Sequence, residues 1–266
     1  MINQAERAYR AWNILVALAP RSRLITYEDL AKTLGTHARA DRYVLELIQD
    51  YCLRNSLPPL TILVVNKQTN EPGEGFTAWS HDNLVEGRSK VRNHDWTKEP
   101  NPFAYASDGT TDDELIDRIL TAPDSSEEVY AKVKVRGVLH MIFRQALLKA
   151  YDGRCALTGV SFTVALDAAH IVPWSQCTPD QKMNPRNGIL MLCCHHRLFD
   201  LGILSIDEDY KIIFTNKNGS ALTEADQLLV VKLHGKQISL PRNISLQPDK
   251  GLIGQRNTRL GLPTGR

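Results

Sequence analysis

The feature that most constrains this chain is an ordered series of short apolar runs in its C-terminal half, each with a polar residue at a fixed place. One run ends at His170, a second run begins at Asn187, and a short helical pattern follows that contains His196. Apolar runs of four to eight residues bounded by turn residues are typical of buried strands. The sequence therefore predicts a strand, a loop, a second strand and a helix, with these three polar side chains at their ends.

Four separated blocks of this region resemble the HNH endonuclease family, whose site is a ββα-metal motif. The resemblance covers about residues 136–240, and the blocks occur in the family's order. They are RCALTG (154–159), DAAHIVP (167–173), NPRNGILML (184–192) and HRLFDLGILSID (196–207). The resemblance implies an enzyme that hydrolyses phosphodiester bonds of DNA with the help of a divalent metal ion.

The same resemblance implies a role for each polar residue. The family's first histidine is the general base and falls on His170, while Asn187 would hold the loop and orient that imidazole. The last histidine is a metal ligand and falls on His196, although a shift by one residue would select His195 instead. Hydrolysis needs both kinds of group, because a base must take the proton of the attacking water and a cation must neutralise the departing oxygen.

The remaining metal ligands depart from the family pattern, since the position before the base is Ala169, where many family members have Asp or His. Asp200 lies four residues after His196, on the same face of a helix. Asp167 lies two residues before Ala169, on the same face of a strand, and we expect it to replace the missing ligand. The alternative is that Asp167 caps a turn. Carboxylates favour Mg²⁺ or Mn²⁺, with Ni²⁺, Co²⁺ or Zn²⁺ as alternatives.

No structural zinc is expected. Some HNH proteins use paired CxxC motifs, but Cys155 is followed by Ala-Leu-Thr, and Cys193 and Cys194 are adjacent. The sequence therefore does not offer the four suitably spaced ligands that a structural zinc site needs. The chain has five cysteines in 266 residues, which predicts a reduced, cytoplasmic protein rather than a disulfide scaffold.

The N-terminal part predicts a small helical domain with a hairpin. Helical patterns cover 5–19, 27–34 and 38–55, and the β-rich LTILVV (60–65) precedes a turn-rich NKQTNEPGEGF (66–76). Thr26 and Gly35 are suited to begin and end the second helix. Three helices and a hairpin of this size are the plan of a winged helix.

ITYEDLAKTLGTHARA (25–40) and LPPLTILVVNKQTNEPGEGF (57–76) resemble the winged-helix domain of alkyltransferase-like proteins. The resemblance implies DNA binding, with Tyr27 against the backbone and Arg39 entering the duplex at a flipped nucleotide. The family's acceptor motif Pro-Cys-His-Arg is replaced here by PPLT (58–61). Without a nucleophilic cysteine, alkyl transfer is excluded, and a domain that reads DNA or a modified base remains. The alternative is a winged helix used only for packing.

Charge divides the chain into the predicted domains. Residues 1–100 carry 13 Lys+Arg and 12 Asp+Glu, residues 101–130 carry 1 and 8, and residues 131–266 carry 18 and 10. We therefore predict an N-terminal domain over 1–100, an acidic linker over 101–130 and a basic nuclease domain over 131–266. The linker is expected to be a solvated connector, with mimicry of nucleic acid at a basic site as the alternative.

These observations predict an α+β protein with a winged-helix reader and an HNH nuclease, acting in restriction or phage defence on DNA. No secretory signal or apolar run long enough for a membrane span is visible, so no membrane partner is expected. One site makes one nick, so cutting both strands requires a homodimer or two events. The alternatives are a DNA-binding regulator with a decayed site and a nuclease for structured RNA.

Overall fold

The computed structural model describes residues 3–216, 219 and 221–262, and the chain divides into two compact units. The first comprises Met1–Asp112 with Val135–Val138, and the second comprises Asp113–Lys134 with Leu139–Arg266. Among the described residues, no helix is both long and apolar enough to cross a membrane.

The first unit contains mainly helices and one pair of very short strands. Its elements are α1 (Gln4–Leu18), β1 (Ile25–Thr26), α2 (Tyr27–Leu34), α3 (Asp41–Arg54), β2 (Val64–Val65) and α4 (Leu84–Asn93). Its core is built around Trp12, whose ring makes edge-to-face contacts with Tyr51, Trp96 and Phe103 at centroid distances of 5.6–6.5 Å.

The predicted second helix is confirmed to the residue. The Thr26 hydroxyl accepts the Asp29 N–H at 3.1 Å, which satisfies a donor that the first turn leaves open. Gly35 ends α2 at φ +66°, a left-handed conformation in which a side chain would be strained.

The predicted hairpin differs from the structure. Leu60–Leu63 form a 3₁₀ turn, and β2 pairs in parallel with β1 rather than with a following strand. No strand forms in residues 66–83, all of which the structure describes. The local reason is that Asn66 makes its hydrogen bonds within the following turn instead of with a partner strand. Its N–H donates to the Glu71 carbonyl, and its side-chain oxygen accepts the Gln68 N–H. The three predicted helices are present, whereas the predicted hairpin is not.

The second unit contains the remaining elements, apart from the first turn of α7. They are α5 (Asp112–Thr121), α6 (Ser126–Val133), α7 (Arg136–Ala150), β3 (Leu166–His170), α8 (Pro179–Met183), β4 (Gly188–Leu192), α9 (Cys193–Asp200), β5 (Leu204–Ile206), β6 (Ile212–Phe214), α10 (Glu224–Leu229) and α11 (Lys250–Leu260). Strands β3 and β4 form one antiparallel hairpin, and β5 and β6 form another.

The acidic segment 101–130 is not a solvated connector in the structure. Helix α5 buries Leu115, Ile116 and Ile119, because these apolar residues recur at helical spacing and find a surface to cover. Two of its carboxylates, on Asp113 and Asp117, lie 3.4 and 3.2 Å from the Lys149 ammonium. The segment is therefore divided between the two units, and its larger part folds with the second.

Candidate nuclease site

Different helices cover the two faces of the β3–β4 hairpin. The register pairs His170 with Gly188 and Asp167 with Met191. Because side chains alternate along a strand, Asp167 and Ala169 point to one face, and His170 points to the other. Helix α7 covers the His170 face, since a Cβ at Gly188 would lie 2.6 Å from both Phe143 and Leu147. Helix α9 covers the Asp167 face, through His196.

His170 is held tightly on the α7 face. Its side chain is 8% exposed, and its ring stacks on Phe143 at 4.2 Å between centroids. The Nε2 atom lies 3.0 Å from the Lys182 carbonyl oxygen. A carbonyl can only accept, so Nε2 is the donor in this hydrogen bond. The Lys182 carbonyl and the Phe143 ring thus set the orientation of the imidazole.

Asn187 organises the loop that joins the two strands. Its side chain is fully buried. The amide oxygen accepts the Val172 N–H at 2.9 Å, and Nδ2 donates to the Gln181 carbonyl at 3.0 Å and to the Cys177 sulfur at 3.2 Å. Asn187 therefore holds both ends of the loop, while the His170 ring is oriented by Lys182 and Phe143.

His196 lies between two carboxylates on the α9 face. Its Nδ1 is 3.4 Å from Asp167 Oδ2, and its Nε2 is 3.6 Å from Asp200 Oδ2. The second contact follows from the i, i+4 spacing on α9. The structure thus brings Asp167, His196 and Asp200 together, and it places His170 on the other face of the hairpin.

This donor set suits a divalent cation in its chemistry. An imidazole and two carboxylates are ligands that Mg²⁺, Mn²⁺ and the later transition metals accept. Asp167 and Asp200 are 45% and 50% exposed, so water can complete a shell. The two carboxylates face different ring nitrogens, and no group of three His, Cys, Asp or Glu side chains in the described chain converges on one point. An ion would therefore bind either at Nδ1 with Asp167 or at Nε2 with Asp200.

The neighbouring His195 has a different environment. It is fully buried, and its Nε2 lies 3.0 Å from the Leu229 carbonyl. Burial raises the pKa of the Cys155 thiol, but hydrogen bonds with His195 and Thr158 outweigh this effect and bring the pKa to about 7. His195 is thus part of the interior, which favours His196 as the exposed member of the pair.

Of the residues predicted to contact DNA, Tyr27 borders a cavity in the first unit, and Arg39 is exposed in the turn before α3. The cavity has a volume of about 570 Å³ and is also lined by Arg42, Gln49 and Thr61. The Tyr27 hydroxyl accepts the Gly73 N–H at 2.9 Å. The Thr61 hydroxyl is buried and has no hydrogen-bond partner among the described residues.

Sequence reasoning missed two residues of the second unit, Lys182 and Arg256. Lys182 acts through its backbone carbonyl, which no side-chain pattern reveals. Its ammonium also donates to the Tyr130 hydroxyl at 3.0 Å. Arg256 is 3% exposed and hydrogen-bonded to two backbone carbonyls. In the sequence, Arg256 looks like a surface cation of an amphipathic helix, so no pattern identified it as a buried residue.

The comparisons with known proteins agree with the hairpin and helix just described. Residues 155–207 match the family model of the HNH endonuclease. This range contains β3, β4 and α9, and therefore all five residues predicted for the nuclease site. None of the curated proteins matches this chain. HNH nucleases generally use a divalent metal ion and act on nucleic acid. The C-terminal half of this chain thus contains an HNH endonuclease domain.

Proposed function

We propose that this chain is a divalent-metal-dependent DNA endonuclease. The observation that carries the proposal is the hairpin and helix of residues 155–207, with the carbonyl-bound His170 and the half-exposed Asp167–His196–Asp200 cluster. The excess of Lys and Arg over residues 131–266, 18 against 10 Asp and Glu, suits a polyanionic substrate and predicts salt-sensitive binding.

In this mechanism His170 takes the proton of the attacking water at Nδ1, while the Lys182 carbonyl keeps Nε2 protonated and the ring in place. Asn187 keeps the loop closed, so that the Lys182 carbonyl stays within reach of the ring. His196, with Asp200 or Asp167, would hold the cation. When bound, the cation supplies positive charge that stabilises the phosphate oxygens.

Nicking of supercoiled plasmid by the full chain tests this proposal. We expect cleavage with Mg²⁺ or Mn²⁺ and none with EDTA, with Ni²⁺, Co²⁺ and Zn²⁺ tested in parallel. His234, an exposed histidine of the same unit, provides a matched control, and His234→Ala should cut normally. Absence of cleavage with every metal, together with retained DNA binding, would favour a regulator with a decayed site. Cleavage of structured RNA alone would reassign the substrate.

We further propose that the first unit reads DNA, with a modified or flipped base as its target. The cavity beside Tyr27 supports this role, because its volume is within the usual range for small-molecule sites and it presents an unpaired Thr61 hydroxyl. Exposed Arg39 precedes the helix that forms one wall. A nuclease with a separate reader suits restriction or phage defence, in which foreign DNA is selected by sequence or modification.

Equilibrium binding by the full chain carrying His170→Ala tests the reader. Arg39→Ala should weaken binding to a duplex with a modified or mismatched base more than binding to a plain duplex, because a guanidinium fills the gap left by a flipped base. Lys67→Ala, an exposed cation of the same unit, serves as the control. Equal losses on both duplexes would reduce Arg39 to a phosphate contact.

A further inference from the structure

Arg256 is a buried cation on α11, beyond the matched HNH segment. Its Nη1 donates to the Ile171 carbonyl at 3.3 Å, and its Nη2 donates to the Phe199 carbonyl. The guanidinium carbon lies 3.6 Å from the centroid of the Phe199 ring. Burial lowers the pKa of Arg256 to about 10, the charge of Arg259 adds to this lowering, and the charge of Asp200 opposes it.

The two acceptors of Arg256 belong to different parts of the nuclease site. Ile171 directly follows His170 at the end of β3, and Phe199 directly precedes Asp200 at the end of α9. One rigid, planar guanidinium reaches both carbonyls, so these two backbone ends lie next to each other. This contact connects the end of β3 with the end of α9, the helix that covers the Asp167 face, and it places Asp200 near the His170 end of β3.

Helix α11 is docked by other residues. The fully buried Asn257 donates to the Ile206 carbonyl at 2.8 Å and accepts the Ser205 hydroxyl at 2.7 Å. Ile253 is also fully buried, and Asp249 at the start of the helix pairs with Arg186 at 2.9 Å. Burying an arginine without a bonded carboxylate is costly. Because Asn257, Ile253 and Asp249 already attach the helix, docking does not require a buried charge at position 256.

The geometry points to Arg256 as a positioning residue for the nuclease reaction, one that fixes the strand end bearing His170 relative to the helix end bearing Asp200. This inference rests on the proposed endonuclease function. It also selects the Nε2 side of His196, with Asp200, as the place where the cation would bind, since that side is the one tied to the His170 strand end.

The test compares Arg256→Lys and Arg256→Gln with Asn257→Ala and with Arg259→Lys, an exposed arginine of the same helix. For each variant we would measure kcat and KM for nicking well below its Tm, together with the imidazole NMR resonances of His170, His196 and His234. Lysine keeps the charge but cannot span two carbonyls and stack on Phe199 at once.

We expect Arg256→Lys to lower kcat by about tenfold or more with KM nearly unchanged, because small displacements of reacting groups cost large factors in rate. The His170 and His196 resonances should shift, while that of His234 should not. Asn257→Ala should lower Tm but leave kcat per folded molecule and the two resonances unchanged, and Arg259→Lys should behave like the wild type.

The inference is overturned if the kcat loss of Arg256→Lys only follows its folded fraction, or if the His170 and His196 resonances stay in place. Should Arg256→Lys not fold, Arg256→Gln, which is neutral and still donates one hydrogen bond, is judged by the same criteria. If the wild type cuts no nucleic acid, the endonuclease proposal fails, and the resonances alone decide the role of Arg256.

Discussion

The two faces of the β3–β4 hairpin carry histidines under opposite conditions. On the α7 face, His170 is buried, stacked on Phe143 and bonded to a carbonyl, so its ring has one orientation. On the α9 face, His196 is 27% exposed between two half-exposed carboxylates. In the proposed mechanism this difference separates proton transfer from cation binding, because a base needs a fixed ring and a cation needs access to water.

The largest effect is expected from His170→Ala. Loss of a general base lowers the nicking rate by about 10²–10⁴-fold, while metal and DNA binding persist, because the α9 face is unchanged. Single-turnover nicking and calorimetric Mn²⁺ binding measure the two properties. If this variant cut at the wild-type rate, His170 would not be the general base.

Asn187→Ala should destabilise the second unit. It leaves the Val172 N–H and the Gln181 carbonyl without their buried partner, which costs roughly 1–3 kcal/mol per group. Thermal unfolding measures the change, and Asn243→Ala, whose exposed side chain serves only a local turn, is the control. An unchanged Tm would show that the loop closes without Asn187.

The adjacent histidines of α9 offer a direct test of the contrast. His196→Ala should reduce Mn²⁺ affinity by tenfold or more, on the order expected for one lost ligand, with little change in Tm because the side chain is partly exposed. His195→Ala should do the reverse, because it removes a fully buried side chain that bonds to the Leu229 carbonyl and to Cys155. If His195→Ala abolished metal binding at unchanged Tm, the ligand would be His195.

The smallest effects separate the two carboxylates. Asp200→Asn should raise the metal concentration for half-maximal nicking by several-fold, whereas Asp167→Asn should raise it less, if the cation binds at Nε2. Asp209→Asn, an exposed carboxylate in the β5–β6 turn, is the control. Metal titrations of the three variants measure the order. A larger shift in Asp167→Asn would move the cation to Nδ1.

Position 169 is where many HNH family members carry a metal ligand. Ala169 shares the Asp167 face but is fully buried. An aspartate placed there would bury a carboxylate, which is costly unless a cation pairs with it. The carboxylates near His196 are therefore those at its two sides, Asp167 and Asp200.

The sequence by itself determined the local elements of this protein. Caps and apolar spacing specified α2 to the residue, and the blocks around His170, Asn187 and His196 specified a strand, loop, strand and helix that the structure contains. These are short-range properties, since a cap or a strand period depends on neighbours within a few residues. The spacing also predicted that Asp200 would face His196.

Only the tertiary structure decided what lies between those elements. Whether PPLTILVV continued into a hairpin depended on its partner strand, and β2 paired with β1 instead. Whether the acidic residues 113–121 remained solvated depended on a surface that α5 could cover. The carbonyl of Lys182 and the guanidinium of Arg256 reach the site across 12 and 85 residues, respectively, from His170 and Ile171. Backbone acceptors and long-range contacts leave no pattern in a sequence, because they form only when distant segments pack.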